Sequence, residues 1–446
     1  MPVRKNRLIT IVGLLASIGA AFGFARPVED PVIDPAKKQV IVDEIATQLN
    51  KNYIFADTAK KIEERLRARL SAGGYDKFAR AGEFADAVSK DILDVGHDKH
   101  MGFAFAPERA ANIARLRSRN EDEVKAARAR ELEEAKRDNF GFRKVERLAG
   151  NIGYLDFRYF AGAGDAGATA VAALNFLSYC DAVIVDMRQN GGGDPTQIQL
   201  VCSYFFAEPT HLNDLYYRAA DTTENYWTLP YVPGSRMDKA DLYILTSSRT
   251  FSGAEEFTYN MKNQKRATII GETTGGGAHP TDAMIVQTDY VLRVPVARAI
   301  NPVSKTNWEG TGVAPDIQLP ASEAFDKAYT LALEKLAAKA ADPGKKAELE
   351  WVLAGQKAKA APARPDAKIF KAYAGIYGER KVFFENGGLV YQRTGGKLRL
   401  TPMTATLFSV EGLDYFRIEF VVKDGKAVEL IGLYDNGERE PSPRTN

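Results

Sequence analysis

A serine lies where a strand pattern gives way to a helix pattern, in the segment LYILTSSRTFSGAEE at residues 242–256. The apolar run 242–245 predicts a buried strand, and a polar turn leads from it to Ser252 and Gly253. Backbone N–H groups at a helix N-terminus can stabilise negative charge on a substrate carbonyl oxygen, so this arrangement would suit a nucleophilic hydroxyl. A serine before a helix is also a common N-cap, and the segment alone leaves both interpretations open.

Three successive glycines follow a second strand pattern, at residues 191–193 after the apolar run 182–186. Glycines permit positive φ and close approach of a ligand, and the N–H groups of such a turn can point into one concavity. A phosphate-binding loop is the competing interpretation. It is disfavoured because the segment has neither the Lys-Ser/Thr ending nor the G-x-G-x-x-G spacing of such loops.

A serine hydroxyl needs a base before it can attack an amide, and the sequence contains four histidines. His211 has no polar residues clustered around it and is interpreted as structural. His97 and His100 lie in a polar turn, and His279 follows a glycine-rich segment; His100 and His279 are the candidate bases. His97 and His100 could in principle share a metal, but no histidine or cysteine has zinc-ligand spacing on a helix. We therefore expect no metal.

Length and charge limit the class of protein. The 446 residues are enough for two or three domains, because single cores rarely exceed about 250–300 residues. A formal net charge of +2 argues against nucleic-acid partners. Arg4, Lys5 and Arg7 precede an apolar run that ends in small residues, which predicts a secretory signal peptide at residues 1–25; a retained membrane anchor is the alternative. No later run is apolar enough to span a membrane, so we expect a soluble periplasmic or secreted protein.

Changes in residue pattern predict five further regions. They are an N-terminal helical domain at 34–105, a charged helical linker at 106–145, an α/β domain with a buried sheet at 146–340, a linker at 341–365 and a small antiparallel β domain at 366–446. The two cysteines, Cys180 and Cys202, have apolar neighbours and are interpreted as buried thiols, with a disulfide between them as the alternative.

Five segments together resemble the tail-specific or C-terminal-processing proteases, peptidase family S41, in the tricorn-core-like and retinoid-binding-protein-like branch without a PDZ domain. The resemblance covers roughly residues 34–335. The segments are Asp98–His100, Asp186–Gly193, Thr250–Glu255, Gly271–Gly276 and Trp308–Asp316. The family implies a crotonase-like core of stacked ββα units over which the helical domain closes. A crotonase acting on coenzyme A thioesters is an alternative from the fold alone, and the export signal argues against it.

The resemblance also implies a catalytic arrangement. The serine-lysine type of the family has a lysine where this chain has Thr273. The tricorn-like type uses a histidine from the earlier domain and a glutamate from a Glu-x-x-Gly-Val-x-Pro-Asp segment, which His100 and Glu309 match. Ser252 would attack the carbonyl, His100 would take its proton and Glu309 would support the charge that develops, with His279 as the second-choice base.

Two details of this arrangement stay open. The family implies an oxyanion hole from the amides of Gly253 and of the turn at Gly191 and Gly192. The tricorn pattern has a serine immediately before the histidine, and this serine is the fourth residue of a catalytic tetrad. This chain has Lys99 at that position, so its fourth catalytic residue is missing or is supplied by another part of the chain.

The expectation is an exported serine-type peptidase without cofactor or metal, acting on peptides or proteins, with its oligomeric state open. A non-catalytic protein that binds a hydrophobic ligand in the same cleft is the alternative, as in the retinoid-binding relatives. Retention of Ser252, His100 and Glu309 together favours the enzyme, because binding alone does not need them. The C-terminal β domain could dock a substrate, a partner or the cell wall.

Overall fold

The computed structural model describes residues 30–98, 100–360, 363 and 367–445. The predicted signal peptide at residues 1–25 lies outside these ranges, as does Lys99. Across the described ranges, no helix combines the length and the apolar character needed to cross a lipid bilayer.

The described residues form a mixed α/β structure. Its α-helices are α1 Pro35–Asn52, α2 Ala56–Ser71, α3 Ala81–Gly96, α4 Pro107–Arg117, α5 Glu121–Arg137, α6 Ala163–Leu177, α7 Pro195–Ser203, α8 Gly253–Asn263, α9 Ala324–Lys339, α10 Pro343–Ala360 and α11 Ala367–Tyr373.

The strands fall into four sheets. They are β1 Gly102–Phe105, β2 Phe142–Leu148, β3 Ile152–Phe157, β4 Ala182–Asp186, β5 His211–Tyr217, β6 Thr222–Trp227, β7 Asp241–Thr246, β8 Ala267–Gly271, β9 Thr281–Val286, β10 Tyr290–Pro295, β11 Ala297–Ile300, β12 Ile317–Gln318, β13 Gly375–Tyr377, β14 Arg380–Glu385, β15 Gly388–Gln392, β16 Leu398–Pro402, β17 Leu407–Val410, β18 Leu413–Lys423, β19 Lys426–Tyr434 and β20 Arg439–Pro443.

The chain divides into two compact units, one of residues up to 146 with 154–321 and the other of residues 147–153 with those from 322 onward. The first unit begins with the helical part that the sequence predicts. The Asp34 carboxylate accepts the Lys37 N–H at 2.7 Å and caps α1, as expected for Asp-Pro at a helix start. Ile41, Ile45 and Leu49 are buried at helical spacing, so α1 is amphipathic.

A six-stranded sheet in the order β12-β8-β7-β4-β3-β2 holds the segments that carry the candidate chemistry. Strands β4, β7 and β8 are parallel, and Asp186, Leu245 and Ile270 lie side by side near their carboxyl ends. Loops that leave neighbouring parallel strands emerge at the same edge of a sheet. This register therefore brings the glycine turn after β4 close to the Ser252 turn after β7. The two strands predicted from the apolar runs 182–186 and 242–245 are confirmed as β4 and β7.

The charged segment before the sheet forms two helices, α4 and α5. A capping box begins α5, in which Asn120 Oδ1 accepts the Glu123 N–H at 2.9 Å and Glu123 Oε2 accepts the Asn120 N–H at 3.0 Å. None of the α5 residues is buried, which agrees with the helical, solvated interpretation of this segment. Cys180 and Cys202 are both buried thiols in the core of the same unit.

The second unit contains α9 to α11 and an eight-stranded antiparallel sheet, β13 to β20 in sequential order. The sequence predicts this antiparallel sheet. Asn386-Gly387 and Asp424-Gly425 have positive φ and close two-residue hairpins, as such pairs do when both positions need the left-handed region. Residues 343–360, at the predicted linker, form α10, because Ala, Lys and Glu are strong helix formers.

Candidate active site

Ser252 lies at the point where β7 and its turn meet α8, and its backbone is strained. Its φ of 52° and ψ of −121° fall in a region that residues other than glycine seldom adopt. Two hydrogen bonds fix the turn: Thr250 Oγ1 donates to Met187 O at 2.8 Å, and Phe251 N–H donates to Asn190 O at 3.2 Å. Strained residues that the surrounding structure holds in place concentrate at functional sites. The backbone thus supports the functional interpretation of Ser252 over that of a simple N-cap.

Glu255 is fully buried one turn into α8 and ties this turn to the glycine-rich segment after β8. Its Oε2 accepts the N–H groups of Ser252 and Gly277, both at 2.9 Å. Its Oε1 accepts the Gly276 N–H at 2.7 Å and the Thr274 hydroxyl. Burial raises the pKa of Glu255, and these hydrogen bonds act in the opposite direction. Glu255 belongs to the Thr250–Glu255 segment of the family pattern, and its Ser-x-x-Glu spacing from Ser252, typical of a capping box, is the sequence signal for this role.

The glycine turn after β4 packs directly on the serine turn. Gly192 has a φ of 101°, and a Cβ there would lie 2.5 Å from the Gly253 nitrogen, so only glycine permits this approach. Two of the amides that the family pattern proposes for an oxyanion hole donate elsewhere: Gly191 N–H to Arg158 O at 3.1 Å and Gly192 N–H to Asn190 Oδ1 at 2.9 Å.

The amides of Gly193 and Gly253, in contrast, donate no backbone hydrogen bond within the described part of the chain. The Gly193 nitrogen lies 2.9 Å from the position that a Cβ on Gly253 would take, so the two residues are in contact. A pair of adjacent unengaged amides beside a serine can bind an oxyanion.

His100 lies against the serine turn. Its ring centroid is 5.0 Å from that of Phe251, and its Cε1 is 2.5 Å from the position of a Cβ on Gly277. Because Gly277 and Ser252 donate to the same Glu255 oxygen, this contact brings the imidazole close to Ser252. The backbone N–H of His100 donates to Asp98 Oδ1 at 2.9 Å, and this hydrogen bond fixes the backbone that carries the ring.

His279 is buried beside the same group of residues. Its Nδ1 lies 2.6 Å from Asp98 Oδ2 and its Nε2 3.5 Å from Asn307 Nδ2, while its ring packs edge-on against Phe55. Among the described residues, neither His279 nor His100 makes a hydrogen bond to the Ser252 hydroxyl.

Glu309 lies between the two histidines. Its Oε2 accepts the Ala278 N–H at 2.6 Å and lies 3.4 Å from His100 Nδ1 and 3.6 Å from His279 Nδ1. Burial raises the pKa of Glu309, but His100, the Ala278 amide and the charge of His279 lower it by more, to about 2. The structure thus brings Glu309 next to His100, as the family pattern implies, and also next to His279.

Among the described histidines, His97 and His211 do not share the Glu309 contact of His100 and His279. His97 has a left-handed backbone at the end of α3. His211 lies with Nε2 2.6 Å from Asp214 Oδ1 and stacks on Trp227 with ring centroids 4.5 Å apart, which fits its structural interpretation.

A cavity of about 430 Å³ adjoins Glu309 and His279. Its lining is aromatic, basic and polar, and comprises Tyr53, Phe55, Gly96, His97, Asp98, His279, Arg298, Ala299, Ile300, Lys305, Thr306, Asn307 and Glu309. Ligand atoms of Asp98, His279 and Glu309 lie within 4.8 Å of one another, so these are the residues able to hold a metal ion.

A strained serine at a helix N-terminus, next to unengaged amides and a histidine-carboxylate group, is an arrangement that serine hydrolases use. Comparison with protein families agrees with that class: residues 151–319 match the family model of peptidase family S41. Over these residues the chain is similar to that family, and it is a serine peptidase.

Solved structures similar to this chain include three proteases or protease-like proteins. The photosystem II D1 C-terminal processing protease is 16% identical with a TM-score of 0.42, covering 64% of this chain and 93% of that chain. A provisionally assigned peptidase from Parabacteroides merdae is 17% identical with a TM-score of 0.47, covering 66% and 96%. The tricorn protease is 14% identical with a TM-score of 0.40, covering 67% and 37%.

Glu256, next to the buried Glu255, has a strongly raised pKa. Burial raises its pKa to about 8, which Asn213 partly offsets and the nearby Asp194 reinforces. The folded chain therefore binds this proton more tightly than the unfolded chain, whose glutamates ionise near 4.5. The resulting stabilisation is fully present below the unfolded pKa and is lost as the pH rises through the folded one.

We expect the free energy of unfolding to fall by up to about 1.4 kcal/mol per pH unit from this group between these two pKa values. The Glu256→Gln variant should lack that contribution, because glutamine stays neutral. Urea unfolding of both proteins across this pH range measures the difference between their slopes. Equal slopes would show that Glu256 ionises in the folded chain as it does in the unfolded one.

Proposed function

We propose that this protein is an exported serine peptidase that hydrolyses peptide bonds by acyl transfer through Ser252. The observation that carries the proposal is the strained Ser252 backbone at the start of α8, held by Glu255 and packed on the glycine turn. The predicted signal peptide supports export. The match of residues 151–319 to peptidase family S41 supports a peptide or protein substrate.

In the proposed mechanism His100 is the general base. Its Nδ1 is directed towards Glu309, which leaves Nε2 on the opposite edge of the ring for the Ser252 hydroxyl. Nε2 takes the hydroxyl proton as Oγ attacks the carbonyl carbon, and the imidazolium then gives that proton to the departing amine. Water repeats the two steps on the acyl-enzyme and releases the new carboxylate. The Ser252–His100 hydrogen bond would form on substrate binding, since such bonds are often long before then.

Glu309 supports this cycle electrostatically. A carboxylate 3.4 Å from His100 Nδ1 favours the imidazolium that forms during each attack. The Ala278 N–H fixes the carboxylate oxygen that faces the ring. His279 is the second-choice base. Its Nδ1 contact with Asp98 and the position of its Nε2 next to Asn307 favour a role in holding the site together.

The proposed oxyanion hole consists of the Gly253 and Gly193 amides. Gly253 comes from the family pattern, and its N–H lies at the positive end of the α8 dipole. Gly193 replaces Gly191 and Gly192 in the proposal because the amides of those two residues are already engaged.

The core around this site is proposed to be crotonase-like. The parallel strands β4, β7 and β8, with α7 and α8 between them in the chain, support this assignment. The alternative function, binding of a hydrophobic ligand in the same cleft, is less well supported. The cavity beside Glu309 includes basic and polar residues such as Arg298, Lys305 and Asn307, which an apolar ligand would leave desolvated.

Cleavage of a defined peptide mixture by the purified mature chain tests the function. In ¹⁸O-labelled water, hydrolysis should produce new peptide carboxyl ends that carry ¹⁸O, detected by mass spectrometry. The Ser252→Ala protein, prepared in parallel and shown to be folded by circular dichroism, should produce none. Equal cleavage by both proteins would reject Ser252, and a folded wild type that cleaves no peptide would favour the binding protein.

A further inference from the structure

Three side chains near the proposed base hold their ligand atoms close together. Asp98, His279 and Glu309 form a group whose ligand atoms lie within 4.8 Å of one another. In the described part of the chain it is the one such group of three or more histidine, cysteine or acidic residues. Asp98 and His279 are almost completely buried, and the cavity beside them gives a path from solvent.

His100 lies next to this group of three. The residue is only 9% exposed, and its Nδ1 is buried without a hydrogen-bond partner. That nitrogen lies 3.4 Å from Glu309 Oε2 and 3.9 Å from Asp98 Oδ1, so it is directed into the group. A buried nitrogen without a partner needs an explanation, and a bound ion is one.

The distances suit a tetrahedral ion. Zinc bonds of about 2.0–2.1 Å to nitrogen and oxygen place neighbouring ligand atoms about 3.3–3.5 Å apart in a tetrahedron. Glu309 Oε2 lies 3.4 Å from His100 Nδ1 and 3.6 Å from His279 Nδ1, which is close to this spacing. Binding would lengthen the 2.6 Å contact between Asp98 and His279, as the ion replaces the proton between them, and would draw in the His100 ring, whose Nδ1 is 3.9 Å from Asp98 Oδ1.

Charge and ligand type narrow the choice of ion. Two carboxylates and two neutral imidazoles match the charge of a divalent cation. Imidazole nitrogen suits zinc and similar transition metals, whereas magnesium and calcium prefer oxygen ligands.

We propose that Asp98, His100, His279 and Glu309 form a binding site for a divalent transition metal, with zinc as the preferred ion, and that the metal switches the peptidase off. A neutral imidazole has one lone pair and one N–H. When the lone pair of His100 Nδ1 binds the metal, the proton resides on Nε2, and His100 cannot accept the Ser252 proton. The same shift of a proton from Nδ1 to Nε2 frees His279 for the metal, so binding needs no redox partner.

The inhibitory half of this proposal rests on the proposed function, but the metal site does not. Binding is therefore measured in the full-length Ser252→Ala protein, which lacks the nucleophile and retains all four ligands. We expect one equivalent of Co²⁺ to give the strong visible absorption of a tetrahedral site. Zn²⁺ should displace it and Mg²⁺ should not.

Variants of the ligands make the site falsifiable. His279→Gln and Asp98→Asn, each added to Ser252→Ala, should weaken Co²⁺ binding by more than the about 10–100-fold seen for changes outside a metal's direct ligands. His211→Gln, which removes a histidine far from the group, is the matched control and should bind as before. Thermal melting of each variant establishes that it is folded. Absence of tetrahedral Co²⁺ absorption, or equal binding by the ligand variants and the control, would overturn the site.

Regulation is tested separately in the protein with Ser252 intact. Stoichiometric Zn²⁺ should abolish most of its peptide cleavage, and a chelator should restore it. Persistence of full cleavage with Zn²⁺ bound would overturn the inhibitory role.

Discussion

The His100→Ala variant is expected to lower kcat/KM for peptide cleavage by about 10²–10⁴-fold, the usual contribution of a general base. His100 is expected to have this effect because its ring lies against the Ser252 turn and its Nδ1 is 3.4 Å from Glu309. Removing the imidazole leaves the Ser252 hydroxyl without a group to accept its proton. Steady-state kinetics on a peptide identified from the cleavage mixture measures the loss.

Two other histidines serve as controls for this prediction. His211→Ala should retain nearly all activity, since this ring contacts Asp214 and Trp227 away from the site. His279→Ala should have an intermediate effect, because it removes the partner of Asp98 but leaves the proposed base. An His279→Ala loss larger than that of His100→Ala would assign the base to His279.

The Glu255→Gln variant is expected to lose about 3 kcal/mol of stability together with most of its activity. The Glu255 carboxylate is the acceptor in four hydrogen bonds, and the donors are the Ser252, Gly276 and Gly277 N–H groups and the Thr274 hydroxyl. The Thr274 oxygen accepts the Val313 N–H at 2.7 Å, so its own proton points at the carboxylate. A glutamine NH₂ group in either orientation would face at least one backbone N–H. Urea unfolding measures the stability, and cleavage kinetics measure the displacement of Ser252.

The neighbouring Glu256→Gln substitution is the matched control for that experiment. This substitution also replaces a buried carboxyl group with an amide, one residue further along α8. The Glu256 carboxyl group has a pKa of about 8 and is therefore mostly protonated at neutral pH. Because glutamine cannot ionise in the unfolded chain, this variant should have a higher free energy of unfolding than the wild type at pH 7. If the two glutamines destabilised the protein equally, the special role of the Glu255 carboxylate would be wrong.

Much of the fold follows from local patterns in the sequence. Short apolar runs gave the central strands, because a strand buried on both faces needs continuous apolar residues. Asn-Gly and Asp-Gly pairs gave hairpin turns of the C-terminal sheet, since both positions require positive φ. Residues 341–365 are predicted as a linker, whereas residues 343–360 form α10. Ala and Lys are common both in helices and in spacer segments, so composition alone does not distinguish the two.

The candidate site was only partly predictable from sequence. Ser252, His100 and Glu309 follow from motifs, and the structure brings His100 and Glu309 together. The contact between Asp98 and His279 joins residues far apart in the chain, and no local pattern reports it. The direction of each glycine amide depends on backbone torsions, which residue type permits but does not fix; this is why Gly193 was not singled out.

The central claim is that Ser252 is a nucleophile activated by His100. Reaction of the folded chain with a fluorophosphonate probe, followed by intact mass and peptide mapping, tests it most directly. We predict one adduct on the Ser252 peptide in the wild type, none in Ser252→Ala and greatly slowed labelling in His100→Ala, with His211→Ala labelled at the wild-type rate. A folded wild type without an adduct, an adduct on another residue or unchanged labelling in His100→Ala would contradict the account.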